Sequence, residues 1–378
     1  MKEMKNPMLP LALFLCALVF LAGQARAAEK NLSLSAQVGV MYDSNVFLAH
    51  DDEDSDLITV LGAKVGVRAA VGSYGRLSAA FGFTGNIYSD YSDGDVITQD
   101  HAVNLTFRGD KYHIVFEDTF LFDSYPIDAV LLGRVDNWLN TLRAAVGARY
   151  DKLGWELGGR VRVLQYPDIP AYDYTDSSLY IEGSYIYSSK TDFFVRVTFG
   201  TIDYRLDEHN EPDYVDAKVG VRGSVTDKTD YELGAGWQRK DYDKSGAIAD
   251  TSDYSGFSLS GKLDSAATEK TSFAFLVSYA PSESVLSNYN KVFYIAGGMR
   301  HHFTQKITGD FSLGYERSTN SDSSDNDFDK VVFDAKVSYA LNDRSSVLLK
   351  MKWESRSSDD PVREYDRLLS GLFYEVRF

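Results

Sequence analysis

Side chains able to act as nucleophiles, bases or metal ligands are scattered along this chain rather than grouped. Of the six histidines, at 50, 101, 113, 209, 301 and 302, only the last two are neighbours. On a strand, His301 and His302 would point to opposite faces and share no ligand. The sequence has no nucleophile elbow, zinc-ligand spacing or phosphate-binding glycine loop. We therefore expect no enzyme activity, no catalytic residue, no metal and no cofactor.

Charged residues instead recur at alternate positions in the middle of the chain. A period of two places them on one face of extended strands. This face carries a ladder of basic and acidic residues: Arg143, Arg149, Arg160, Arg162, Arg196, Lys218 and Arg222, with Glu156, Glu182, Asp216 and Glu232.

Two roles are open for this ladder. Rings of Arg and Lys select anions in pores, so the ladder could guide an anionic polymer or solute. Alternatively, bases and acids on adjacent strands pair with one another and stiffen the wall. The mixture of signs favours the second role.

The elements that must position these residues are strands. In 32–42, for example, Leu32, Leu34, Val38 and Val40 alternate with polar or small residues. We count about 18 such segments, each long enough to cross an outer membrane at a tilt. The alternation is poor only in 111–123, where Asp118 falls on the apolar side, and ambiguous in 291–303.

The predicted fold class is all-β, a transmembrane antiparallel up-and-down barrel of about 18 strands. A closed sheet pairs every backbone N–H and C=O without leaving an edge in hydrocarbon. A soluble sandwich or propeller is disfavoured by the long polar second face. Aromatic residues near strand ends are typical of interfacial girdles: Tyr42, Tyr88, Tyr150, Tyr166, Tyr187, Tyr279 and Tyr339.

Connections between the predicted strands alternate in length. Tight polar turns follow the even-numbered strands and longer loops follow the odd-numbered ones, as in bacterial outer-membrane barrels with their short turns in the periplasm. An even strand count places both termini on the short-turn side. The sequence thus predicts an integral outer-membrane protein with periplasmic N- and C-termini, in contact with outer-membrane lipid and lipopolysaccharide.

Two kinds of long loop stand out. The third, 124–134, is apolar, and we expect it to fold into the lumen as a constriction; the alternative is packing against other external loops. Its candidate residues are Tyr125, Pro126, Ile127, Leu131, Leu132 and Arg134. Loops 43–56 and 319–329 are acidic but lack the glycine and distal glutamate of an EF-hand, which favours a solvated external face.

Composition excludes two further classes of protein. The chain has 378 residues, a formal net charge of −16 and a mean hydropathy of −0.26. Such an acidic balance argues against nucleic acid as a partner, and the hydropathy argues against a bundle of spanning helices. Lys2 and Lys5, an apolar run and Ala25-Arg26-Ala27 predict a signal peptide over 1–27, which leaves 28–378 as the barrel.

Two segments resemble known proteins. Leu372, Tyr374, Val376 and Phe378 alternate at the chain's end and resemble the signal that the barrel assembly machinery recognises. The run Val38-Gly39-Val40-Met41-Tyr42-Asp43-Ser44-Asn45-Val46-Phe47 resembles the opening of the putative beta-barrel porin 2 family. That resemblance implies an outer-membrane conduit for exopolysaccharide, with polysaccharide and periplasmic export proteins as partners. The alternatives are a general or solute-specific diffusion porin and a non-transporting structural or adhesive barrel.

Overall fold

The computed structural model describes residues 30–124, 135–284, 286–322 and 327–378. Eighteen strands make up most of this part. They are β1 Lys30–Asp43, β2 Asp56–Val71, β3 Gly75–Tyr88, β4 Val96–Arg108, β5 Tyr112–Asp123, β6 Asn137–Tyr150, β7 Leu153–Gln165, β8 Tyr174–Ser188, β9 Thr191–Tyr204, β10 Pro212–Thr226, β11 Thr229–Tyr242, β12 Tyr254–Ser265, β13 Thr271–Glu283, β14 Tyr289–His302, β15 Ile307–Asn320, β16 Phe328–Ala340, β17 Ser345–Ser358 and β18 Tyr365–Arg377.

The strands form one closed antiparallel barrel. Each pairs with its sequence neighbours, and β18 pairs with β1 through Val40 and Leu372, among other residues. Closure removes the sheet edges, so the ladder satisfies the strand backbone internally. The predicted fold class and strand count are confirmed. Within the described residues, no helix combines the length and apolarity that a membrane-crossing helix needs.

Alternation decides which side chains face out. Leu32, Leu179 and Val219 are among the exposed apolar residues of the outer wall, whereas polar and charged side chains of the same strands face the lumen. Asp118 remains the exception predicted from the sequence: it lies opposite Val103 and Leu142 on the outer face. The outer wall is therefore apolar with one local break.

The expected aromatic girdles are correct for part of the predicted set. Tyr42, Tyr150 and Tyr187 are exposed near strand ends on the outer wall. Tyr88 and Tyr166 are instead almost fully buried on the inner side, where each packs in an apolar cluster. The prediction for these two was wrong because each sits at the inward phase of the alternation, where a loop folds over it.

Short and long connections segregate to opposite ends of the barrel, here called the short-turn end and the long-loop end. The loops 44–55 and 243–253 belong to the long-loop end, whereas 109–111 and 151–152 are short turns. β1 begins and β18 ends at the short-turn end, with Ser35 opposite Arg377. The predicted leader 1–27 and the constriction residues between 125 and 134 lie outside the described residues.

Acidic residues close several of the long loops at their base. The N–H of the last or next residue of a strand donates to a carboxylate just before the next strand. Examples are Tyr88 N to Asp95 Oδ1 at 2.8 Å and Tyr204 N to Glu211 Oε1 at 2.9 Å. Three more loops repeat the contact, at Tyr166–Asp173, Tyr242–Asp253 and Asn320–Asp327. Part of the acidity of these loops is therefore structural: it satisfies backbone donors where the ladder ends.

Candidate functional site: the barrel lumen

The charged ladder predicted from the sequence lies on the inner wall. Registers place Arg143 opposite Arg160, and Glu182 opposite Arg196, which in turn lies opposite Lys218. The remaining members occupy the same inward phase of β6 to β11: Arg149, Arg162, Arg222, Glu156, Asp216 and Glu232. The structure thus brings the ladder together as one polar wall.

Most of its cations contact a carboxylate. Arg143 Nη1 lies 2.9 Å from Glu117 Oε2, and Arg160 Nη2 lies 2.6 Å from Asp176 Oδ2. Glu182, with its side chain almost fully buried, receives guanidinium groups from two strands. The further contacts are Arg143–Glu156, Arg149–Asp192, Arg196–Glu182, Arg222–Glu182 and Lys218–Asp216. The wall is therefore polar but locally close to neutral.

Aromatic rings lie between the inner wall and several of these cations. A Cβ on inward-facing Gly158 would lie 2.4 Å from Tyr180 Cζ, and one on Gly200 would lie 2.3 Å from Tyr214 Cζ. The rings consequently lie against the wall over glycines, as in the aromatic rescue of glycine in sheets. The Arg196 guanidinium then lies over Tyr180, 5.4 Å from the ring centroid, within the range of a cation–π contact. Glycine, ring and cation form a thin layered wall that leaves the lumen open.

Arg162 differs from its neighbours. It has no ion pair within the described residues, and its guanidinium lies 5.8 Å from the Tyr174 ring centroid. We expect Arg162→Gln to weaken anion preference while leaving barrel stability nearly unchanged, because no carboxylate loses a partner. Arg160→Gln is the matched control: it strands the buried Asp176 and should cost about 1–3 kcal/mol. Reversal potentials in a salt gradient and urea unfolding measure the two effects; unchanged selectivity in Arg162→Gln would remove the guiding role.

The end of β13 leaves the barrel wall at the long-loop end. Its pairing with β12 stops at Leu259–Tyr279, yet its pairing with β14 continues to Glu283–Tyr289. Released from β12, this end leans into the lumen. Glu283 Oε1 meets Lys240 Nζ on β11, and Tyr204 Oη on β9 donates to Glu283 Oε2 at 3.3 Å. The end of β13 therefore contacts β11 and β9, which are two and four strands away in the barrel.

Loops from four successive connections hold this arrangement in place. The loop network consists of Asn210, Asp250, Asn288 and Ser321. Asn210 Nδ2 donates to Asn288 Oδ1 at 2.8 Å, and Asn288 N donates to Asp250 Oδ2 at 2.9 Å. Ser321 Oγ donates to the same carboxylate oxygen. Burial alone would raise the pKa of Asp250, but these hydrogen bonds and those from Ser252 hold it below its ordinary value.

Below the loop network lies a cavity of about 450 Å³. Arg162, Tyr174 and Arg196 line one side of it, and Lys240 and Glu283 line another. The cavity therefore lies between the charged ladder and the opening at the long-loop end, here called the mouth, which the end of β13 narrows. A solute that crosses the barrel here contacts both.

His209 in the β9–β10 loop should make the mouth sensitive to pH. Its buried ring stacks on Tyr204 with centroids 4.5 Å apart and also faces Tyr172. Burial lowers its pKa to about 4. A released loop would hold the ordinary pKa of about 6.5. As pH falls from about 6.5 toward 4, the released loop binds a proton that the packed loop excludes. The packed state therefore becomes less stable relative to the released state.

We accordingly expect channel openings to become more frequent at about pH 5 than at about pH 7.5. His209→Phe keeps the ring contacts and removes the titrating group, so its opening frequency should vary less with pH. Planar-bilayer recordings of both chains at the two pH values test this. An equal pH dependence in the two chains would assign the effect to other groups.

Loop 44–55 narrows the other side of the mouth. Asp43 at the end of β1 pairs with Arg367 of β18, with Nε 2.9 Å from Oδ1, and both side chains are almost fully buried. Glu354 Oε2 lies 3.9 Å from Arg367 Nη1. Asn45 Nδ2 donates to Ala49 O at 2.7 Å. We call Asp43, Arg367 and Glu354 the loop-1 anchor.

The anchored loop carries an apolar side chain into the lumen. Val46 is almost fully buried and belongs to an apolar cluster with residues of β2, β3, β17 and β18: Ile58, Val60, Tyr88, Leu348 and Phe373. In the sequence, the segment 43–47 stands out only for its resemblance to a family, and no role is predicted for it. In the structure Asp43 and Asn45 are almost fully buried whereas the acidic run at 51–54 is exposed, and the sequence carries no signal that separates the two.

Other predicted residues are placed without a test of their role. Leu372 and Tyr374 are exposed on the outer face with Phe378, as the alternation predicts, and their recognition by the assembly machinery stays a prediction. Within the described ranges, no group of three or more His, Cys, Asp or Glu is arranged to hold a metal ion.

Comparison with known proteins gives one family match. The family described as "Putative beta-barrel porin 2" matches residues 133–378, about two thirds of the chain. The matched region excludes 38–47, the run that carries the resemblance to this family in the sequence. None of the curated proteins compared matches the sequence.

Several solved structures are distantly similar to this chain. Pseudomonas aeruginosa OpdQ is 10% identical, with 92% of this chain and 97% of that one covered and a TM-score of 0.48. A BenF-like porin from Pseudomonas fluorescens Pf-5 is 8% identical, with coverage of 93% and 99% and a TM-score of 0.49. Acinetobacter baumannii OccAB3 is 9% identical, with coverage of 93% and 100% and a TM-score of 0.47.

Proposed function

Because the chain belongs to the putative beta-barrel porin 2 family and forms an outer-membrane porin-like channel, we propose that it is the outer-membrane conduit of an exopolysaccharide secretion system. In this proposal the long-loop end faces outward and both chain ends face the periplasm. Polysaccharide enters from periplasmic export proteins at the short-turn end. Lipid and lipopolysaccharide surround the outer wall.

The narrowed long-loop end carries this proposal. The loop-1 anchor holds one segment in the mouth, and the Lys240–Glu283 contact with the loop network holds another. These are polar contacts between loops and strand ends, which can separate and re-form without unfolding the wall. An export conduit must be closed or narrow when no polymer passes, whereas a general porin must stay open.

The lumen wall is suited to a hydroxyl-rich polymer. Its ladder is largely neutralised by ion pairs, so it offers hydrogen bonds without a large net charge that would trap a passing chain. Ser260, Ser272 and Ser312 add hydroxyl groups on the inward phase of β12, β13 and β15. Paired charges and hydroxyls are both satisfied by water when the polymer is absent.

One observation favours a second function, a solute-specific diffusion porin. The cavity of about 450 Å³ beside Arg162 lies within the size range of sites that enclose a small molecule, about 300–1,000 Å³. In that case a single small solute, not a polymer, would occupy the narrowed mouth.

Oligosaccharide efflux from proteoliposomes separates these functions. We would load labelled oligosaccharides of increasing length and compare the unmodified chain with Glu283→Gln, which breaks the contact with Lys240. A conduit should release little before the change and chains of several sugars after it. A diffusion porin should release only the smallest sugars from both proteins, and a structural or adhesive barrel should release nothing from either.

A further inference from the structure

The outer wall carries one polar patch at mid-height, formed by Gln99, His101, Asp118 and Asn140. Asn140 Nδ2 donates to Asp118 Oδ1 at 3.0 Å and to Thr119 O at 3.1 Å. On the neighbouring strand β4, His101 Nε2 lies 3.3 Å from Gln99 Oε1. We call these four residues the outer polar patch.

The depth of the patch is what makes it unusual. On β5 the outward residues run from Tyr112 through Asp118 to Phe122, so Asp118 has outward neighbours on both sides. It lies six residues from Tyr112, which is about 20 Å along the strand and, at a tilt of about 40°, about 15 Å of height. The carboxyl group therefore lies near the middle of the hydrocarbon layer.

Hydrocarbon offers a carboxyl group no hydrogen-bond partner, so a lipid-facing aspartate at this depth is unfavourable. Asn140 satisfies one of its oxygen atoms. The surrounding side chains are aromatic: Phe81, Phe83 and Phe120 pack around the His101 ring with centroids 5.2–5.5 Å away. Polar side chains at this depth in a membrane usually face protein, where they hydrogen-bond across an interface, rather than lipid.

We propose that the outer polar patch is the contact surface between two copies of this chain in the membrane. A two-fold axis along the membrane normal keeps every residue at its own depth, so the patch of one copy meets side chains of equal depth in the other.

The patch is complementary to itself. A carboxylate only accepts hydrogen bonds, whereas a primary amide both donates and accepts, so an amide of one copy can pair with a carboxylate or an amide of the other. The Asn140 oxygen accepts no hydrogen bond from the described residues, and the second Asp118 oxygen accepts none either. A two-fold contact brings these acceptors near the Gln99 amide of the other copy, whose N–H groups donate to none of the described residues, as an isologous interface requires.

Cysteine crosslinking in isolated outer membranes tests this. In a chain with Cys16→Ser, Leu142→Cys places a thiol beside Asp118, and Leu179→Cys places one on the exposed outer face of β8, away from the patch. Oxidation should convert most of the Leu142→Cys protein to disulfide-linked dimer and leave Leu179→Cys monomeric. Equal dimer yields would overturn the proposal, and so would a crosslink from Leu142→Cys to a protein of another mass.

Asp118→Leu separates association from folding. Leucine suits hydrocarbon, so this barrel should fold as well as the unmodified one and keep its heat-dependent gel mobility. In the Leu142→Cys background it should lower the dimer yield about fivefold, about 1 kcal/mol of association free energy. Asp118→Asn, which keeps hydrogen bonding, should retain the dimer. An undiminished yield with Asp118→Leu would contradict a contact made through the patch.

Discussion

Replacing Arg367 with Gln should destabilise the barrel by about 3–5 kcal/mol and free loop 44–55 from the mouth. The change leaves Asp43, fully buried, and the nearly buried Glu354 without the guanidinium that both contact. Breaking a buried pair from one side is costly because the remaining charge is uncompensated. Urea unfolding of the barrel in detergent micelles measures the loss.

Lys352→Gln is the matched control, because Lys352 contacts the same Glu354 from a side chain that is 39% exposed. It should cost no more than about 1 kcal/mol. Adding Asp43→Asn to Arg367→Gln should recover part of the lost stability by removing the stranded charge. Equal losses for Arg367→Gln and Lys352→Gln would show that the buried pair does not anchor the loop.

Glu283→Gln should open the opposite side of the mouth. Lys240 is 4% exposed and would lose the carboxylate that it contacts. A buried ammonium group without a carboxylate is unfavourable, so the end of β13 should move away and let water reach Lys240. A Ser260→Cys thiol in the cavity below should then react at least tenfold faster with an impermeant reagent added outside cells, a shift of about 1.4 kcal/mol.

Two controls fix the meaning of that rate. Arg239 lies on β11 next to Lys240 but faces outward, where it forms an exposed ion pair with Asp241. Arg239→Gln should therefore leave the Ser260→Cys rate unchanged. A thiol at Lys244 in the exposed loop should react equally fast in every background. If Glu283→Gln leaves the Ser260→Cys rate unchanged, the β13 end does not limit access to the lumen.

The barrel was predictable because its determinants are local and periodic. Alternation fixes which face of each strand meets lipid, and loop lengths fix the order of the connections. The same alternation marks Asp118 as a break in the outer wall, since its position falls among apolar residues. Phase alone correctly placed Arg143, Glu182 and the other ladder residues on the inner face.

The narrowed mouth was not predictable, because it depends on contacts between distant residues. Asp43 and Arg367 are 324 positions apart, and Asn210 meets Asn288 across 78. β13 leaves β12 after Tyr279 because its backbone pairing with β12 ends earlier than its pairing with β14. No periodic pattern in the sequence encodes the length of a pairing. The sequence pointed to loop 124–134 as the constriction, which stays a prediction because 125–134 lie outside the described residues. Among the described residues, loop 44–55 and the end of β13 narrow the mouth.

Single-channel conductance tests the central claim, that inward-folded segments narrow one end of an otherwise open barrel. The unmodified chain and the double variant Arg367→Gln, Glu283→Gln would be recorded in planar bilayers under identical salt and voltage. We predict small, infrequent openings for the unmodified chain and large, sustained ones for the double variant. A large, steady conductance in the unmodified chain, equal to that of the variant, would contradict it.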